Sequence, residues 1–313
     1  MKVTKMHGAR NDFVIVDRRS GGRADLVRFA RWACDRRAGI GADGVIAIES
    51  SNVADARMRT INADGTEAEM CGNGIRCAAR WLDEAGEGAG VTFETEAGLI
   101  STEIVSRGAE YAVRVAMGHP IISSLILRQD PDDAGRPNSL VRARSAVLSE
   151  RSESKGQDDK GQDDNGSPNS LATARSAALS AVEGWFVDLG NPHVVLVRSS
   201  VDGVDLERIA EDFQKDSRFP DGTNVHVVAL QDRRTVRVAH WERGVGLTMA
   251  CGTGAVACAA VAIASGTVTS PVAVFVPGGR LVVEWDGIGD AYLTGPAVRV
   301  FDTEVDLGDE LAS

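Results

Sequence analysis

Two short stretches of this chain share one pattern of chemistry. Cys71-Gly72-Asn73-Gly74 and Cys251-Gly252-Thr253-Gly254 each set a thiol before a glycine, a polar residue and a second glycine. Each then runs into an alanine-rich segment that reads as a helix. A cysteine at a helix N-terminus meets unpaired backbone N–H groups and the positive end of the helix dipole, which favour a thiolate and can hold a carboxylate. The glycines let the backbone approach a bound molecule. A thiolate and a thiol on opposite faces of one carbon can remove a proton from one side and return one to the other, inverting that centre. A proton α to a carboxylate is held tightly, and two helix ends aimed at the carboxylate would stabilise the charge that develops there.

Each thiol needs a neighbour that sets its ionisation. His193, after Gly190-Asn191-Pro192, and Glu242, before Arg243-Gly244, are the candidates. Taken alone, His193 also fits a hydrogen-bonded structural histidine, and Glu242 an ion pair with Arg243. Asn11 is either a ligand-facing amide or a turn asparagine. Cys34, Cys77 and Cys258 lie among apolar or small residues and read as core.

The elements that would position these groups come in two similar sets. In the first half, strands are expected within Val3 to Asp17, interrupted at His7 to Asp12, and then at Val45 to Ile48 and Ala56 to Asn62. The Cys71 helix follows, ending near Gly86, and then strands at Val91 to Glu96, Leu99 to Val105 and Tyr111 to Met117. In the second half, Val194 to Val197, Val225 to Leu230 and Thr235 to Trp241 lead into the Cys251 helix. Val272 to Val276, Arg280 to Trp285 and Ala291 to Val300 follow it. Further helices are expected at Leu26 to Asp35 and Asp205 to Phe213. Gly39 to Gly44 has the spacing of a dinucleotide loop but lies between a helix and a strand, the reverse of the required context, and reads as a turn.

Between the halves the composition changes. Lys-Gly-Gln-Asp-Asp occurs twice within Glu150 to Ser167, and Pro137 to Ser149 nearly repeats as Pro168 to Ser180, which reads as a local duplication in an exposed insert. The chain has 313 residues, 43% of them apolar, enough for two ordinary cores. A net charge of −11 argues against nucleic acid or an anionic membrane as partner and leaves small molecules. No membrane-length apolar run or signal-peptide pattern is seen, so a cytoplasmic location is expected. Five scattered cysteines without a Cys-x-x-Cys pair, and five scattered histidines, give no disulfide framework and no metal site.

Asn62-Ala63-Asp64-Gly65-Thr66 followed by Cys71-Gly72-Asn73-Gly74-Ile75-Arg76 resembles the signature of diaminopimelate epimerases. The resemblance extends through Lys5 to Gly8, Asn11 to Phe13, Gly39 to Gly44, Gly190 to His193, Gly222 to Val225, Glu242 to Gly244, Ala250 to Gly254, Pro277 to Gly279 and Thr294 to Pro296. It implies cofactor-independent conversion of L,L- to meso-diaminopimelate, in lysine and peptidoglycan synthesis. It also implies an α/β (α+β) fold of two pseudo-symmetric domains, each a mixed, barrel-like sheet around a central helix. The lobes are expected at 1–118, completed by 298–313, and at 184–297. The insert takes 119–183, disordered or an exposed loop around 131–180.

By the same resemblance, Cys71 and Cys251 are the acid/base thiols, with His193 near the first and Glu242 near the second. The α-carboxylate sits on the N–H groups around Gly72, Asn73, Gly252 and Thr253. Asn11, Asn62, Asn191, Asn224 and Arg243 hold the amino groups and the distal carboxylate. The partner is a small amino acid, with a homodimer as the candidate assembly. Three features depart from the family pattern: Leu247 where glutamate is usual, Arg10 where glycine is common, and the insert. The first two motivate a rival reading, a related two-cysteine racemase of another amino acid. A non-catalytic amino-acid-binding scaffold is the second rival.

Overall fold

The structure, a computed structural model, describes residues 1–21, 25–108, 110–128, 141–146 and 181–306. The first lobe opens with a hairpin of β1 (Lys2–Gly8) and β2 (Asn11–Asp17). The two residues between the strands, Ala9 and Arg10, are both left-handed, with φ of 51° and 65°. A two-residue hairpin turn needs this geometry, and glycine adopts it without strain, so the turn accounts for the unusual Arg10 position. The interruption expected over His7 to Asp12 therefore shrinks to Ala9-Arg10.

After α1 (Leu26–Ala33), β3 (Gly44–Glu49) runs parallel to β2, and β4 (Ala56–Asn62) returns antiparallel to it. The two-residue β5 (Glu67–Ala68) precedes the central helix α2 (Gly72–Glu84), and β6 (Gly90–Thr95), β7 (Gly98–Arg107) and β8 (Tyr111–Ala116) close the lobe. A linking group of β9 (Ile121–Arg128), β10 (Val141–Ala146) and β11 (Ala181–Asp188) follows.

The second lobe repeats the plan. β12 (Pro192–Arg198) is parallel to β13 (Asn224–Asp232), with α3 (Leu206–Gln214) between them in sequence, and β14 (Thr235–Glu242) returns antiparallel to β13. The short β15 (Gly246–Thr248) leads to α4 (Gly252–Ala264), then to β16 (Val272–Val276), β17 (Gly279–Glu284) and β18 (Tyr292–Pro296). The strand expected over Ala291 to Val300 is broken at Ala297, because the chain there leaves one lobe for the other. β18 pairs with β17 and with β8 of the first lobe, and β19 (Val298–Glu304) pairs with β1.

The two central helices share one apolar core. Ala78, Ala79 and Leu82 of α2 pack in the same cluster as Val256, Ala259 and Ala260 of α4. Apart from Thr253, α4 is small or apolar from Gly252 to Ala264, as a helix buried from Gly252 through Ala262 must be, Thr253 aside. The expected insert begins within structure rather than outside it: β9 pairs with β11 from Ile121 to Arg128, and β10 lies against β9. The rest of the loop expected around 131–180 lies outside the described residues, as do residues 307–313 of the expected C-terminal strand. Among the described residues no helix is long and apolar enough to cross a membrane.

Candidate active site

Cys71 and Cys251 are the N-cap residues of α2 and α4, both in extended backbone conformation. The first intrahelical bonds run from Ile75 N to Cys71 O and from Ala255 N to Cys251 O. The N–H groups of the residues between therefore point out of the helix ends. The two ends meet. A Cβ added at Gly252 would lie 3.2 Å from Gly72 Cα, and one added at Gly72 would lie 3.4 Å from Gly252 Cα. Glycine on both sides lets the two positive helix ends come this close without any displacement.

Beside them lies a cavity of about 1030 Å³, lined by Cys71 and Thr253 and by Asn11, Asn62, Asn191, Asn224, Glu242 and Arg243. Cys251 is buried just behind this surface. Its thiol donates to the Glu242 carboxylate and lies 3.6 Å from Thr253 Oγ1. Burial, then the Glu242 charge, raises its pKa; burial also raises that of Glu242. The Cys71 thiol receives the Gly74 N–H at 3.4 Å and faces Asn11 Oδ1 at 3.8 Å. Burial pushes it up to about 11, against the lowering effect of the Gly74 N–H.

The amides are not equivalent. Asn11 donates to Asp43 at 2.7 Å, which leaves its oxygen to Cys71 and to Asn73 Nδ2. The Asn73 side chain also reaches the Ala250 carbonyl at 2.9 Å, tying the start of α2 to the segment before Cys251. Asn62 donates to Thr66 at 3.0 Å. Asn224, expected to bind substrate, has both ends of its amide engaged by protein: it donates to Pro192 O and accepts from Arg243 N. Arg243 is exposed, with one guanidinium N–H on Asp221 O at 3.2 Å.

The side-chain hydrogen bonds of His193 run within the second lobe, to Asn191 and His226. Its ring is fully buried, with Nε2 at 2.8 Å from Asn191 Oδ1 and Nδ1 at 2.8 Å from His226 Nε2. The cause is strand parity: β12 turns His193 inward with Val195, toward α4, where His226 of β13 also points. Leu247 is 57% exposed on the cavity rim, and Glu242 and Thr253 are what surround the Cys251 thiol.

Two features were not read from the sequence. Arg76 is fully buried yet meets only neutral acceptors: Gly72 O at 2.9 Å, Asn73 Oδ1 at 2.8 Å and Pro296 O at 3.2 Å. Burial lowers its pKa to about 10, and its charge favours a Cys71 thiolate. The signal was an arginine one turn after Gly72 in a segment otherwise rich in alanine. The other feature is the pair His226 and His240. Among the described residues no group of three His, Cys, Asp or Glu is placed to hold a metal ion.

The diaminopimelate epimerase family model matches residues 3–122 and 185–300, so both lobes are covered. The chain belongs to the diaminopimelate epimerase family. Among its relatives in that family, the diaminopimelate epimerase of Desulfitobacterium hafniense is 36% identical over 311 residues, covering 96% of each chain. That of Caldanaerobacter subterraneus subsp. tengcongensis is 37% identical over 310 residues, covering 98% of this chain and all of the relative. The fold is shared more widely. A phenazine biosynthesis protein of the PhzF family from Bacillus anthracis superposes with a TM-score of 0.65 at 19% identity, over 98% of this chain and 99% of its own. A hydroxyproline epimerase from Agrobacterium vitis superposes with a TM-score of 0.58 at 15% identity, over all of this chain and 94% of its own.

Proposed function

We propose that this protein converts L,L-diaminopimelate to meso-diaminopimelate by two-base proton transfer, as a cytoplasmic step toward lysine and peptidoglycan. The observation that carries the reading is the meeting of two cysteine-capped helix ends at Gly72 and Gly252 beside one amide-lined cavity. The substrate α-carboxylate sits across both helix ends, where N–H groups and dipoles stabilise the charge that grows on it as the α-proton leaves. One cysteine, as thiolate, takes that proton, while the thiol on the other face delivers its own to the carbon. The C–H bond breaks on one side and forms on the other, with no net gain or loss of protons.

Glu242 receives the Cys251 proton when that cysteine must act as base. For Cys71 the helix end, the Gly74 N–H and the Arg76 charge favour the thiolate. The cavity matches a substrate with two amino-acid ends: Arg243 offers charge to the distal carboxylate, and the amides offer donors and acceptors.

Incubation in D2O with L,L-diaminopimelate, and separately with a panel of L-amino acids, tests the reading. We expect α-deuteration and epimerisation of diaminopimelate. Exchange confined to another amino acid would overturn the substrate, and no exchange with any would overturn the enzyme.

A further inference from the structure

The repeat of the two lobes places Asn11 and Asn191 at corresponding positions, each two residues ahead of a buried ring. Phe13 pairs with Gly44 on the parallel neighbour strand, and His193 pairs likewise with Asn224. The next inward positions also correspond: Ile46 faces Thr60 across β3 and β4, and His226 faces His240 across β13 and β14. Ile46 and His226 each pack on the second glycine of a cysteine helix. A Cβ on Gly74 would meet Ile46 Cδ1 at 2.9 Å, and one on Gly254 would meet His226 Cε1 at 2.5 Å. The first lobe thus carries Phe13, Ile46 and Thr60 where the second carries three histidines.

Those histidines are a hydrogen-bonded file. All three are buried: Asn191 Oδ1 meets His193 Nε2 at 2.8 Å, His193 Nδ1 meets His226 Nε2 at 2.8 Å, and His226 Nδ1 meets His240 Nδ1 at 2.9 Å. Among the described residues His240 Nε2 ends the file with no partner. Neutral rings allow two directions of donation. If Asn191 donated, every bond would reverse and the file would end in a buried N–H with nothing to receive it. If Asn191 accepts, the file ends in a bare ring lone pair. An orphaned buried donor is the rarer and more costly ending, and burial disfavours a charged ring, holding His193 and His240 down to about 3.

We infer that His193, His226 and His240 are positioning residues that fix Asn191 with its oxygen inward and its NH2 turned to the cavity, as donor to an anionic group of the substrate. Asn11 has the opposite polarity, since Asp43 takes its N–H and leaves its oxygen facing Cys71. The cavity is therefore polarised, with an acceptor amide on one lobe and a donor amide on the other. Asn191 and Arg243 line the same cavity, where both can reach the substrate's distal carboxylate. This last assignment rests on the proposed function; the polarity of the file does not.

The test is the protein labelled with 15N-histidine, studied without ligand at pH 7 by long-range 1H–15N correlation. We expect neutral rings, with the proton on Nε2 of His193 and His226 and on Nδ1 of His240. An Nδ1–H tautomer or an imidazolium at His193 overturns the inference. A second arm uses Asn191→Asp, which keeps shape but replaces the donor with a charged acceptor. We expect its KM for diaminopimelate to rise about a hundredfold with a much smaller change in kcat; an unchanged or lower KM overturns the polarity. If the protein has no activity on diaminopimelate but shows the stated tautomers, the substrate reading fails and the file stands.

Discussion

Cys251 and Glu242 form a pair in which each partner holds the other's proton in check. Burial raises both, and the Glu242 charge raises Cys251 further, so the proton rests on sulfur with the carboxylate as the acceptor beside it. Glu242→Gln keeps the shape and removes the proton acceptor. We expect kcat/KM to fall about a hundredfold, in the range of general-base losses. The fall must be equal in both directions, because a catalyst cannot change the equilibrium between the epimers. Initial rates from L,L- and from meso-diaminopimelate check this, and a loss below threefold would remove Glu242 from the chemistry. At this scale the sequence was informative where residue type and motif coincide, as at Cys71, Cys251 and Glu242. It said less for His193, because Gly-Asn-Pro-His shows where the chain turns but not that β12 sends the ring inward to His226. His226 and His240 were invisible for a related reason: each alternates with apolar neighbours in a strand, and only register shows that they touch.

At the scale of elements, the four glycines of the two cysteine motifs do different work. Gly72 and Gly252 set the separation of the helix ends, while Gly74 and Gly254 let each helix settle on its sheet. The sequence showed both helices and their cysteine caps, since an alanine-rich run after Cys-Gly leaves little choice. It did not show which glycine faced which surface. Gly254→Ala drives a methyl into the His226 ring, and a cost of about 2 kcal/mol is expected for such overpacking, visible as a drop of several degrees in Tm. Gly252→Ala meets Gly72 Cα at 3.2 Å and Leu293 Cδ2 at 3.3 Å, so a few tenths of an ångström of helix separation accommodates it. There we expect a smaller loss in Tm but about a tenfold loss in kcat/KM, because the carboxylate must then span displaced helix ends. Thermal melts and steady-state rates on both variants check the contrast, and the opposite ranking would refute this division of roles.

At the scale of the molecule, the repeated plan was legible because both copies keep the same order of strands before and after the cysteine helix. The passage of β19 back to β1 was not, since Gly295-Pro296 marks where β18 ends but not that the chain then crosses to the other lobe. The two lobes nonetheless differ in how they answer acid. The second lobe holds three neutral buried histidines whose folded pKa values lie below the ordinary 6.5, at about 3 for His193 and His240, whereas the first lobe has Phe13, Ile46 and Thr60 in their place. The sign follows from proton binding. Above pH 6.5 neither state binds protons at these rings and their full stability is present. As pH falls from 6.5 toward 3 the unfolded chain takes up protons that the folded one refuses, so stability is lost at up to about 1.4 kcal/mol per pH unit per ring. At pH 5 that is about 2 kcal/mol for each of His193 and His240. We therefore expect acid to loosen the second lobe first. Hydrogen exchange at pH 7 and pH 5, corrected for intrinsic rates, should show protection falling in β13 and α4 before β3 and α2. Equal loss in both lobes, or loss led by the first, would show that carboxylates rather than the histidine file govern the acid response.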